Sequence, residues 1–105
     1  MLLEIVAAEL EEAGFRVLPA ATAEEAAGIL GGGGIDLLFT DIRLPGRLDG
    51  WDLAERARDL HPGLPVIYVT GYSAEAPRQV SDSILVMKPY RPSAIVRVAR
   101  QLGVG

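Results

Sequence analysis

The sequence predicts an α/β fold: a doubly wound parallel sheet with helices on both faces. Segments patterned as helices alternate with segments patterned as strands along all 105 residues, the order that builds a parallel sheet. The best strand candidates are unbroken apolar runs instead of in-out alternations, as expected of strands buried on both faces. Three successive runs end on Asp41, Thr70 and Lys88. Right-handed crossovers would bring those ends to one edge of the sheet, where open parallel sheets bind their ligands.

The elements follow in order. Leu3, Val6, Leu10 and Ala13 recur at helical spacing between glutamates, and Gly14 is placed to stop that helix. Phe15 to Leu18 reads as a short strand. Thr22-Ala23-Glu24-Glu25 has the form of a capping box, opening a second helix that runs to about Leu30. Gly31 to Gly34 is a linker. It leads into a strand, whereas a glycine-rich phosphate loop leads into a helix. Ile35 to Thr40 is the strand that delivers Asp41, and Pro45 and Gly46 mark the loop beyond it.

Asp49 is placed to cap a third helix whose buried stripe would be Leu53, Ala54, Ala57 and Leu60. His61-Pro62-Gly63 closes it. His61 has no second ligand-type residue at metal spacing and reads as a solvated turn residue. Pro65 to Val69 is a β-branched strand ending at Thr70-Gly71. Ser73 to Val80 has helical character interrupted by Pro77. Ile84 to Met87 is the last strand, ending at Lys88-Pro89. Pro92 suits the first position of a final helix with Ile95, Val98, Ala99 and Leu102 on its apolar face and Gly103 after it.

Composition narrows the function classes. The length allows one domain. Half the residues are hydrophobic, which suits a packed core. A net charge of -4 argues against direct nucleic-acid or anionic-membrane binding. Cysteine is absent, which removes disulfides and thiolate metal sites and fits a cytoplasmic setting. No apolar run reaches membrane-spanning length, and the first residues lack the pattern of a signal peptide.

At the sheet edge, a carboxylate, a hydroxyl and an ammonium make chemical sense together. A carboxylate can act as nucleophile toward phosphorus and form an acyl phosphate. A lysine and a hydroxyl can bind the phosphoryl oxygens as their charge redistributes. An unrelated α/β enzyme would need a catalytic base, and the sequence offers none to nominate.

"TDIRLPG", "VIYVTGY" and "MKPY" resemble the receiver domain of two-component response regulators, and the match runs over essentially the whole chain. Pro65 to Tyr72 is similar to the subgroup with a "PF-x-FATG-Y"-like signature, often found in hybrid kinases and stand-alone receivers. The resemblance implies a flavodoxin-like receiver fold and a signalling role in a phosphorelay instead of an enzyme's. It implies Asp41 as phosphoacceptor, Thr70 as the hydroxyl that moves to the phosphoryl group and Lys88 as its ion-pair partner. The backbone carbonyl of Arg43 would join Asp41 in ligating Mg2+, and the Lys88-Pro89 bond would be cis. The implied partners are a histidine kinase or phosphotransfer protein and an output protein or domain, reached through the last strand and helix.

Three departures qualify the resemblance. Leu85 stands where many receivers carry an aromatic switch residue, so coupling would pass through Tyr72 or Tyr90. The loop from Asp41 to Asp49-Gly50 is one residue longer than the commonest spacing, and Trp51 beyond it reads as a helix anchor. Receivers begin with a strand bearing an acidic pair that binds Mg2+, whereas this sequence starts inside the first helix. That absence predicts a gap between the strands of Phe15 and Leu37, poor Mg2+ binding and self-association, with a homodimer as one form. Glu24 and Glu25 lie at a helix start by the wrong strand to replace the pair. The alternative reading is a Mg-independent adaptor working by protein-protein contact alone.

Overall fold

A computed structural model, which describes residues 2–44, 46–71, 79–81 and 83–103, sets the apolar runs side by side. The order along the chain is α1 (Leu2–Glu12), α2 (Ala23–Gly31), β1 (Leu38–Asp41), α3 (Gly50–Leu60), β2 (Val66–Thr70), β3 (Ile84–Met87) and α4 (Pro92–Gln101). The strands form a sheet in the order β1-β2-β3, and both pairings are parallel. Asp41 lies opposite Val69, and Thr70 opposite Met87.

β2 has a neighbour on each edge and packed side chains on each face, so all five of its residues are buried. This is why its sequence shows no polar alternation. Successive side chains still point to opposite faces. Leu38, Val66 and Tyr68 pack with Ala23 and Leu30 of α2 and Leu53, Ala54 and Ala57 of α3. Ile67 and Val69 pack with Val6 and Leu10 of α1 and Ile95, Val96 and Ala99 of α4. Two separate apolar clusters thus clamp one sheet.

The helix boundaries follow the sequence cues. Thr22 accepts a hydrogen bond from Glu25 N–H at 3.1 Å. Asp49 and Asp52 form a reciprocal capping box, at 2.9 Å and 3.1 Å, that opens α3. Pro92 occupies the first turn of α4, and Gly14 and Gly103, at φ +98° and +87°, follow the ends of α1 and α4. The Lys88-Pro89 peptide is cis.

Several expectations are corrected. Phe15 to Leu18 is not a strand. Phe15 and Val17 turn toward the α1/α4 cluster while Leu18 is exposed, so the in-out pattern is present without a ladder. A ladder needs a neighbour's N–H and C=O groups. A cleft of about 710 Å³ adjoins the segment instead, lined among others by Leu10, Val17, Leu30, Phe39 and Leu53. It lies along β1, whose second edge has no strand partner among the described residues. This is where the sequence predicts a gap.

His61 is not simply solvated. Its Nε2 lies 2.8 Å from the carbonyl oxygen of Leu30, which also accepts from Gly33 N–H at 3.1 Å, and so ties α3's end to the last turn of α2. Leu60 is 52% exposed because it falls beyond the part of α3 that lies on the sheet. In α4, Val96 is buried and Val98 only half-buried, a small rotation of the expected face. The helix expected over Ser73 to Val80 lies almost wholly outside the described residues; Gln79 and Val80 are described and are not helical. Pro45 and Tyr72 also lie outside them.

Candidate functional site

Asp41 is the last residue of β1, and its neighbour Ile42 extends the ladder by donating its N–H to Val69 O at 3.2 Å. The carboxylate is therefore held at the carboxyl edge with its side chain about a quarter exposed, 24%. Lys88 Nζ lies 2.5 Å from Asp41 Oδ2. The other oxygen, Oδ1, accepts from Arg43 N–H at 3.4 Å, a long and weak contact. One carboxylate oxygen is thus charge-paired, and the other faces the loop.

Lys88 is placed by β2. Its backbone N–H donates to Thr70 O at 2.8 Å, and its aliphatic stem passes Gly71, where a methyl group would sit 3.7 Å from Cβ and 3.8 Å from Cδ. Thr70, 4% exposed, ends β2 directly behind this lysine. Thr40 Oγ1 donates to Asp41 O at 2.8 Å and fixes the peptide that follows the carboxylate. Tyr90 is half-buried near the pair. Burial raises the pKa of its phenol; Lys88 opposes that rise and Asp41 adds to it, so the ring senses both charges.

The loop after Asp41 returns on a single glycine. Gly50 donates its N–H to Ile42 O at 2.7 Å, and a Cβ there would collide with Asp41 O and stand 2.8 Å from Ile42 Cα. The start of α3 therefore lies against the backbone of Asp41 itself. Sequence reading missed this role. The available signal was a poor helix former, Gly, at the first position of a well-capped helix.

The structure thus brings Asp41 and Lys88 together directly, Thr70 to Lys88 through the backbone, and Arg43 to Asp41 through its N–H. Trp51 is an anchor, as expected: it is buried, with its ring centroid 4.8 Å from that of Tyr68. A hard divalent cation takes about six oxygens. Asp41 and the Arg43 carbonyl would supply two, and no group of three His, Asp or Glu converges among the described residues. These residues alone do not fit a resident Mg2+.

Comparison with known proteins gives the family. The family model described as the response regulator receiver domain matches residues 1–100. The chain belongs to this family. A receiver protein from Sinorhizobium medicae superposes with a TM-score of 0.89 at 35% identity, covering 96% of this chain and 84% of its own. A CheY-like receiver domain from Methanospirillum hungatei gives 0.83 at 29% identity, covering 97% and 85%. The C4-dicarboxylate transport transcriptional regulatory protein DctD of Rhizobium meliloti is 35% identical over 96 residues, or 88% of this chain. The chain spans only 21% of that regulator's length.

The receiver fold is accordingly of the flavodoxin-like type, and receiver domains are modules of two-component signalling and phosphorelays. Receivers as a family bind Mg2+ in an acidic pocket. None of the relatives supports a Mg-independent adaptor. Among the described residues, no helix is long and apolar enough to cross a membrane.

Proposed function

We propose that this receiver domain accepts a phosphoryl group on Asp41 from a histidine kinase or phosphotransfer protein. The observation that carries the reading is the 2.5 Å pair between Lys88 Nζ and Asp41 Oδ2 at the sheet's carboxyl edge. Attack by a carboxylate oxygen on phosphorus forms the acyl phosphate as the bond from phosphorus to the donor breaks, and the donor leaves with that electron pair. Lys88 Nζ is within reach of the transferred oxygens and compensates their charge. The Thr70 hydroxyl, at the end of the adjacent strand, supplies the neutral donor to the same group.

Incubation with acetyl phosphate and Mg2+, followed by mass-spectrometric mapping, is expected to place the label on Asp41 and to find none in Asp41→Asn. Label on a serine, or label that survives Asp41→Asn, overturns the assignment.

The face built from β3 and α4 is the proposed route to kinase or output. Arg91, Arg97 and Arg100 are exposed there, a basic cluster on an acidic domain, and such charges steer encounter more than they add affinity. Charge reversal at Arg97 and Arg100 is expected to slow association with the cognate partner several-fold, read by stopped-flow at low salt. An unchanged association rate removes this face from the proposal.

A further inference from the structure

The hydroxyl of a fully buried tyrosine reaches out of the sheet to the chain that returns from Thr70. Tyr68, at the middle of β2, is 0% exposed, and its ring is tilted 53° against Trp51. Its hydroxyl oxygen accepts a hydrogen bond from Val80 N–H at 3.1 Å. Burial raises the phenol's pKa; the Val80 N–H and Arg58 work against that rise. The phenol is therefore neutral at working pH and acts as a fixed dipolar acceptor.

Val80 belongs to no helix or strand, yet both of its backbone groups are bonded. Its carbonyl accepts from Ser83 Oγ at 2.7 Å, and Gln79 Nε2 donates to that same Oγ at 3.2 Å. Arg58 of α3 donates through Nε to Leu64 O at 2.6 Å and reaches Ser81 Oγ at 3.5 Å. Buried or half-buried backbone groups must find partners, and here side chains supply what secondary structure does not. Of these, only Tyr68 belongs to the strand that ends in Thr70.

Tyr68 and Thr70 are two residues apart on β2, so their side chains point to the same face of the sheet. The β2–β3 crossover leaves at Gly71 and is described again from Gln79. β2 therefore holds this crossover at both ends, through the chain at Thr70 and through the Tyr68 hydroxyl at Val80. We propose that Tyr68 is a positioning residue whose hydroxyl clasps the returning end of the crossover to β2, so that the state of the Asp41–Thr70–Lys88 site is felt at Val80. This rests on the phosphoacceptor reading of Asp41 and names a route by which that site is read out.

Tyr68→Phe keeps the ring and its contact with Trp51 and removes the hydroxyl that accepts from Val80 N–H and meets the Ser83 side chain. Amide exchange at Val80, followed by NMR, is expected to be roughly fivefold faster in this variant, while the rate of Asp41 labelling stays unchanged. In the parent protein, phosphorylation is expected to change Val80 exchange at least twofold. In Tyr68→Phe the change is lost. Gln79→Ala, which removes the 3.2 Å bond to Ser83 Oγ and so loosens the same segment without touching the Tyr68 hydroxyl, retains it.

Equal Val80 exchange in parent and Tyr68→Phe overturns the clasp. A phosphorylation response that is the same in both, or that Gln79→Ala also abolishes, overturns the readout role. If the parent takes up no label, the acceptor reading has failed separately. Val80 exchange in Thr70→Ala, Tyr68→Phe and the double variant then decides: non-additive changes support the link, and additive ones refute it.

Discussion

Gly50→Ala is expected to lower the stability of the domain by about 3 kcal/mol, the upper end for overpacking a well-filled site. For a domain of this size that is a fall in Tm of roughly 15 °C. The added methyl meets backbone, not a side chain that could turn aside. It would collide with Asp41 O and stand 2.8 Å from Ile42 Cα and 3.0 Å from Asp41 C. Relief requires α3 to back away, which breaks the 2.7 Å bond from Gly50 N–H to Ile42 O and shifts Asp41 itself. Gly28, in α2, is the control, since a Cβ there has nothing within 4 Å. Gly28→Ala should be neutral, or stabilising by up to about 1 kcal/mol. A calorimetric Tm for Gly50→Ala within about 3 °C of the parent contradicts the close approach.

Lys88→Ala is expected to slow acceptance of the phosphoryl group by roughly a hundredfold, the scale of losing one preorganised donor at a centre of developing charge. The lysine lies 2.5 Å from the carboxylate, and nothing else among the described residues places a side-chain cation on that oxygen. Its effect on the melting temperature should be small, because a pair with side chains 29% and 24% exposed contributes about 1 kcal/mol or less. Thr70→Ala should do the opposite in kind: the labelling rate stays within a few-fold, while phosphorylation-induced NMR shifts around Tyr90 shrink. The Thr70 hydroxyl is neutral and offers less to a developing charge than Lys88 does. Equal rate losses in the two variants would refute this division of labour.

The sheet and its carboxyl edge were legible in the sequence for a physical reason. A strand buried on both faces has to be apolar throughout, so "VIYVT" and "ILVM" identify themselves. Residues that interrupt such runs, Asp41 and Lys88, must then lie at strand ends. Caps were legible too, because Thr22 and Asp49 act on backbone only three residues away. Phe15 to Leu18 was misread because its strand-like alternation records which side chains face the core. Whether a ladder forms depends on a neighbour that local sequence does not specify. Gly50, His61 and Tyr68 were missed for a related cause. Each acts on a backbone group brought near by folding: Ile42 O, Leu30 O and Val80 N–H.

The ion pair at the heart of the site joins residues 47 positions apart, through two parallel pairings that each need a completed crossover. Contacts of that separation form slowly, because loop closure precedes any compensating gain. A polypeptide emerging from the ribosome therefore exposes Asp41 long before Lys88 exists to stand beside it. During synthesis the carboxylate is chemically ordinary, and it gains its special partner only once β3 docks on β2. On the phosphoacceptor reading of Asp41, reactivity toward a phosphodonor is in this sense a certificate of finished folding.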